Sequence, residues 1–561
     1  MKKRFFKLLL ALVAIATTAQ AQVVLNETNF PDAHFRKELA SQLKISEGDE
    51  ITAEKIAATT LLSFGWSYIA DLTGIEHFTA LKELYCSYNQ LTSLDVSKNT
   101  ALTELDCSGN QLTSLDVSGC TALADMRCTD NKLLSLNVSK NVALTRLDCY
   151  RNRLLTSLNV SGCTALTWLD CEKNQLTSLD VSGCTALTRL GCSDNQLTSL
   201  NVSGCTALTS LRCDKNLLTS LDVSGCTALT SLGCDKNLLT SLDVSGCTAL
   251  TFLDCRFNQL TSLDVSGCTA LTRLECYDNQ LTSLDVSGCT ALTRLECYDN
   301  QLTSLDVSGC TALTYLACNE NRLTSLDVSG CTALETLFCY YNQLTSLDVS
   351  KNTALKGLYC YRNQLSSLDV SGCTALTELN CSRNQLTSLD VSKNTALREL
   401  LCSYNQLTSL DVSKNTALTR LSCGSNQLTS LDVSKNTALT ELRCYSNQIK
   451  GEKMDALVIS LPRIGYSGPF FVIDTKDENE GNVCTKAQVA VANRIGWTVY
   501  NFNGGYAPFP KYEGSDEPTS IENNNRETIT NNRYYSVGGV KLNDEPTKKG
   551  IYIHNGKKVV K

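Results

Sequence analysis

Residues 271–291 read LTRLECYDNQLTSLDVSGCTA, and residues 292–312 repeat that string letter for letter. A chain with a strict 21-residue period gives each copy the same environment as the next, so the copies stack along an axis. Within the unit the apolar positions are Leu271, Leu274, Cys276, Leu281, Leu284, Val286 and Ala291. Leu274 and Cys276 are two residues apart, the spacing of one face of a strand, which sends Arg273, Glu275 and Tyr277 to the other face. Leu284 and Val286 repeat the pattern on a return path, with turns at Asn279 and around Ser287 and Gly288. A single unit buries too few apolar side chains to offset the ordering of its backbone, so stability requires stacking.

The unit resembles the L-x-x-L-x-L-x-x-N-x-L pattern of leucine-rich repeats, with Cys in place of the third Leu. That cysteine recurs from Cys86 to Cys444 and marks eighteen coils. Every step is 21 residues except the 22 from Cys149 to Cys171, where Arg153-Leu154-Leu155 holds one extra Leu. The added residue is expected to bulge outward and leave the ladder intact. The implied fold is a leucine-rich repeat solenoid, a right-handed, β-rich horseshoe or arc of short parallel strands, with a small helical N-terminal cap and an α+β C-terminal cap.

The chain has 561 residues, a net charge of −7 and thirty cysteines. Residues 1–21 have the form of a signal peptide: Lys2, Lys3, Arg4 and Lys7, an apolar run over 8–16, then Ala19-Gln20-Ala21. Losing those four cations takes the charge to about −11, the wrong sign for a nucleic-acid partner. The apolar run is too short to span a bilayer, and no transmembrane insertion is expected. The reading is an exported protein, at the outer-membrane surface or extracellular.

Export would ordinarily suggest disulfides. Eighteen cysteines, however, take an inward strand position, where Cys serves as a small hydrophobe. Eleven more occupy an S-G-C corner, from Cys120 to Cys373, where six coils carry Asn instead: Asn99, Asn141, Asn352, Asn394, Asn415 and Asn436. Interchange of Cys and Asn implies a small side chain turned inward against loop backbone rather than a bonded sulfur. The spacings of 13 and 8 residues contain no C-x-x-C, and only His34, His77 and His554 occur, so neither metal nor cofactor is expected.

Residues 22–80 read as the N-terminal cap. A helix starts at Asn29-Phe30-Pro31-Asp32 and carries Phe35, Leu39 and Leu43 on one face. A second short helix is capped by Thr52. The repeats span 81–450. A C-terminal cap over 451–513 contains a helix with Met454, Leu457 and Leu461, a strand at Phe470-Phe471-Val472-Ile473, a helix after Cys484 and a strand at Trp497-Thr498-Val499-Tyr500. A polar linker, 514–532, leads to a tail, 533–561, whose alternating runs flank Asn555-Gly556 as in a hairpin.

IADLTGIEHFTALKEL at 69–84 and the coils L-x-x-L-x-C-x-x-N-Q-L-T-S-L-D-V-S resemble internalin-type leucine-rich repeat proteins and the BspA-like surface proteins of anaerobic Gram-negative bacteria. The tail, through Gly550-Ile551-Tyr552-Ile553 and Gly556-Lys557-Lys558-Val559, resembles sorting domains read by type IX secretion machinery. The resemblance implies a cell-surface binding protein, with that machinery as a partner of the tail.

The L-T-S-L-D-V-S side is nearly constant, while the residues flanking each strand Leu and Cys vary, so recognition can be written there without disturbing the core. Early coils are charged at these places, as at Arg146, Asp148, Asp170 and Arg212; Trp168 stands alone. Later coils turn aromatic: Phe252, Phe257, Tyr277, Tyr298, Tyr315, Phe338, Tyr340, Tyr341, Tyr359 and Tyr361. These ten are the candidate ligand-binding residues. Adjacent strands place their rings about 5 Å apart, suited to a host or matrix protein as hot-spot residues or to a glycan as a stacking surface. The alternative use of the same residues is to stabilise the sheet, and the alternative role for the chain is a structural spacer or surface coat without a specific ligand. Catalysis is not expected: no coil contains His, and the repeated Ser and Asp have no unique environment to shift a pKa.

Overall fold

The structure is a computed structural model. It describes residues 23–465, 467–505 and 507–516, together with the backbone of Tyr534–Ser536, Lys541–Leu542, Ile551–His554 and Lys557–Val560. The expected signal peptide and most of the linker lie outside the described residues. The fold is a parallel-strand solenoid of about eighteen turns, and the chain divides into two compact units, 1–281 and 282–561.

In the first unit, helix α1 (Ala33–Leu43) is capped by Asp32, whose carboxylate accepts from Phe35 N at 2.9 Å. It buries Phe35, Leu39 and Leu43, the face that the spacing indicated. Arg36 is buried with them and donates to Phe30 O at 2.7 Å and Pro31 O at 2.8 Å. Helix α2 (Ala53–Ala58) is capped by Thr52 as expected. The ladder begins at Leu61–Ser63, inside the segment read as a cap, with Phe64 buried in the place that later coils give to Cys. From there three-residue strands pair in parallel without slippage, Leu62 with Leu84, then Leu105, Met126, Leu147, Leu169 and onward to Leu274. In-register pairing follows from the constant period, since a one-residue slip would turn every Leu to solvent.

The second unit carries the same ladder from Leu295 to Leu442. Gly468–Ile473 then adds in parallel to Glu441–Arg443, and Trp497–Asn501 adds beyond it. Helix α3 (Glu452–Ser460) and helix α4 (Lys486–Arg494) complete this cap, and Thr485 and Gln488 form a reciprocal capping box on α4. The tail strands Ile551–His554 and Lys557–Val560 pair antiparallel across the two-residue Asn555-Gly556 connection. Tyr534–Ser536 and Lys541–Leu542 complete a four-stranded sheet that the hairpin reading did not include.

All thirty cysteines are free and buried. Burial pushes the strand thiols far up, Cys318 to about 12, so they remain protonated and inert. The corner explains why Cys and Asn interchange. Asn141 Nδ2 donates to Val117 O and Cys120 O, both at 2.9 Å, and Cys163 Sγ lies 3.3 Å from the next such carbonyl, Val138 O.

A second polar ladder was not legible in advance. The residue two after each marker cysteine is left-handed in all eighteen coils, yet glycine occupies only one of these places, Gly109. The Asn that follows holds the turn. Asn110 Nδ2 donates to Cys86 O at 3.0 Å and Cys107 O at 2.9 Å, and its Oδ1 accepts from Leu91 N at 3.0 Å. Those bonds offset the roughly 1–2 kcal/mol that a side chain in this conformation costs.

The extra residue behaves as expected. Leu154 is exposed, and Leu147 still pairs with Leu169. On the return path Leu136 likewise pairs with Leu158 across the insertion, and the break in strand pairing falls one coil later, between Ser157–Asn159 and Ser178–Asp180. Gly162 is turned to φ 88°, and a polar recess of about 420 Å³ opens between them.

Candidate functional site

The variable positions lie on the strand face, where parallel register sets like beside like. In the second unit Phe338 pairs with Tyr359, and their rings stack at 4.5 Å and 9°. Tyr340 and Tyr361 stack at 4.4 Å and 9°. Both spacings match the strand separation. Tyr341 meets Tyr340 and Tyr361 edge-on, at 5.9 and 5.7 Å, and Tyr315 leans on Phe338 at 5.6 Å. These six form one contiguous wall. Gly357 makes room for it: a Cβ there would lie 3.1 Å from Tyr359 Cε2.

The wall corrects one expectation. Rings standing on neighbouring strands spend their faces on each other, so solvent meets mostly edges and hydroxyls, not an open stacking surface for sugar rings. Two further ring faces carry a cation: the Arg362 guanidinium sits 4.5 Å from the centre of Tyr341, and that of Arg294 sits 3.8 Å from Tyr315. Burial raises the pKa of the Tyr315, Tyr340, Tyr359 and Tyr361 phenols, and Tyr359 also donates to Glu378. They are therefore neutral phenols, able to donate and accept at physiological pH. Glu320, Glu378, Arg362 and Arg383 frame the wall with both signs of charge.

The remaining expected residues do not join this group in the same way. Tyr298 is half-buried. In the first unit, Phe257 and Tyr277 meet edge-on at 5.3 Å, with Lys236 over Phe257 and Arg273 over Phe252. Tyr277, read from the sequence as outward and open, is only 7% exposed. Phe257 and Arg256 cover it, and Arg256 is itself held by Asp254, Glu275 and Asp235. Tyr277 thus stabilises a charged cluster and cannot serve as a contact.

Sequence reasoning passed over the most exposed aromatics. Trp66, Tyr68 and Tyr88 lie at the start of the ladder, and Trp66 stacks on Tyr88 at 4.2 Å. The available signal was the 22-residue interval between Trp66 and Tyr88, one coil, had Phe64 been recognised as standing in for a cysteine. Among the described residues no group of His, Cys, Asp and Glu could hold a metal ion, and no helix is long and apolar enough to cross a membrane.

The family described as Leucine Rich repeats (2 copies) matches residues 79–120 and 353–394. Among solved structures, a functional domain of InlJ from Listeria monocytogenes, whose description includes a cysteine ladder, is 35% identical, with a TM-score of 0.50 over 75% of this chain and 80% of that one. The chain belongs to the internalin-like leucine-rich repeat proteins. Internalin J of Listeria monocytogenes serotype 4b is 44% identical over 70 residues, a match that spans 12% of this chain and only 8% of that relative. YopM from Yersinia enterocolitica shares the fold, at a TM-score of 0.55 and 23% identity over 80% of this chain and 97% of its own. This internalin-like chain therefore carries a buried cysteine column, a feature that the InlJ description also names.

Proposed function

We propose that the protein is an exported, non-catalytic adhesion module that binds a protein partner, of host or matrix origin, on the strand face of its second unit. The observation that carries this is the wall of Tyr315, Phe338, Tyr340, Tyr341, Tyr359 and Tyr361. It offers ring edges, neutral hydroxyls and flanking arginines, the mixture that dominates protein hot spots. A glycan fits the wall less well, because the ring faces it would stack on are already occupied. The internalin-like relatives support surface adhesion. In this reading residues 1–21 direct export, and the tail over 533–561 engages type IX secretion machinery. Binding of the purified chain to epithelial cells and matrix proteins should fall at least about tenfold when Tyr340, Tyr341 and Tyr361 are replaced by Ala. Unchanged binding with an intact circular dichroism spectrum would refute the assignment.

The identical units 271–291 and 292–312 favour one further reading, a length-setting spacer. Deleting 271–312 keeps the period. A spacer would retain its role after that deletion at reduced length, and replacing the wall would leave it unaffected.

A further inference from the structure

Several aromatic faces on the repeats carry a cation from a neighbouring coil. Arg146 lies over Trp168, Lys236 over Phe257, Arg362 over Tyr341 and Arg383 over Tyr404. Trp66 does not carry one. Its residue is 72% exposed, one indole face rests on Tyr88, and among the described residues no cation lies over the ring. Tyr88 in turn lies against Gly109, where a Cβ would stand 2.6 Å from Tyr88 Cδ1. The stack is therefore backed on one side and open on the other.

The loop that presents it is pinned. Trp66 N donates to Ser87 O at 3.1 Å, and Asn89 Oδ1 accepts from both Ser67 N and Ile69 N, at 3.1 and 3.0 Å. Asp32 Oδ2 accepts from Ala70 N at 2.7 Å. Between those anchors Tyr68 is thrown outward, 69% exposed, with φ 60°. Trp66 shares the left-handed place found in every coil, but the excursion at Tyr68 has no counterpart in any cysteine-marked coil. A bulky residue held there, and gaining no burial from it, marks a position where strain is retained for a use other than packing. The exposed His34 ring lies 6.3 Å from Tyr68.

We propose that Trp66, with Tyr68 and His34 at its rim, is a binding subsite for a hexopyranose unit of a glycan. The chemistry of the place selects that class. The indole face is flat, rigid and unoccupied, which suits the apolar C–H face of a pyranose. The rim supplies a phenol, an imidazole and the Ser67 hydroxyl, hydrogen-bonding groups that match sugar hydroxyls. With Trp66 72% exposed, an apolar peptide side chain would gain little enclosure there. A free aromatic face is what the tyrosine wall lacks, so the two surfaces serve different ligands, and neither assignment depends on the other.

The test is titration of the full chain with maltohexaose, cellohexaose, chitohexaose and mannohexaose, with an oligoproline peptide as the alternative ligand. Indole fluorescence and saturation-transfer NMR provide the readouts. At least one hexasaccharide should bind in the millimolar range or tighter. Trp66→Ala should weaken it at least about tenfold, Trp66→Phe less, and Tyr361→Ala not at all, with unchanged thermal unfolding in each variant. Absence of binding by all four sugars would overturn the proposal, as would sugar binding that survives Trp66→Ala. Oligoproline binding that depends on Trp66, in place of sugar binding, would reassign the subsite to a peptide.

Discussion

The ladder of asparagines beneath the strand face can be tested at Asn342. Its Nδ2 donates to Cys318 O at 3.0 Å and Cys339 O at 3.2 Å, and its Oδ1 accepts from Leu323 N at 2.9 Å. In Asn342→Ala the two carbonyls keep second donors, since Asn321 also serves Cys318 O and Asn363 serves Cys339 O. Leu323 N loses its side-chain acceptor and is left buried. Three bonds at about 1 kcal/mol each, with about 1–3 kcal/mol for an orphaned buried donor partly overlapping them, give a local loss of about 3–5 kcal/mol. Because solenoid stability is spread over neighbouring coils, a global melt would dilute this loss. Native-state hydrogen exchange reads it directly: the Leu323 amide should exchange at least about a hundredfold faster. If Leu323 protection falls less than about tenfold in a folded variant, the side-chain ladder is not what holds these turns.

Stability should pass through a maximum in mildly acid solution. Burial raises the carboxyls of Glu172 and Asp254 to about 7 and that of Asp148 to about 6. Their contribution is greatest when they are protonated in the folded state, and it is lost as pH rises through 6–7. Asp95, Asp116 and Asp222 are held below the usual range by Ser97, Ser118 and Ser224, so their contribution is lost on the acid side as pH falls below about 4. Thermal unfolding against pH should show both limbs, with Glu172→Gln flattening only the upper one. At the S-G-C corners, Gly204→Ala would place a Cβ 1.9 Å from Ser182 O and should destabilise by several kcal/mol or force the corner apart, on the order of other severe backbone clashes. Gly183→Ala, whose Cβ meets nothing nearer than 4.0 Å, should cost less than about 1 kcal/mol in a urea titration. Replacing Asn394 with Cys should shift the same titration by less than about 1 kcal/mol, because the lost donor is offset by removing an amide oxygen that has no partner.

A period of 21 with Leu and Cys two apart was enough to determine the stacked parallel strands, the inward thiols and the interchange of Cys with Asn, because a repeat that must match its neighbour leaves each side chain one environment. The caps were legible for a related reason: the Thr52 cap, the α1 face and the cap strands are local patterns that do not depend on distant partners. The ten aromatic positions were legible as a set, but their chemistry was not. Which ring faces are free depends on side chains one coil away, so only the tertiary structure showed that the wall of Phe338, Tyr340, Tyr359 and Tyr361 turns its edges outward and that Arg256 and Phe257 close over Tyr277. It likewise decided that Trp66 keeps an open face: the sequence places a Trp before the first marked cysteine, and only the stack on Tyr88 and the bonds to Asn89 make it a fixed platform.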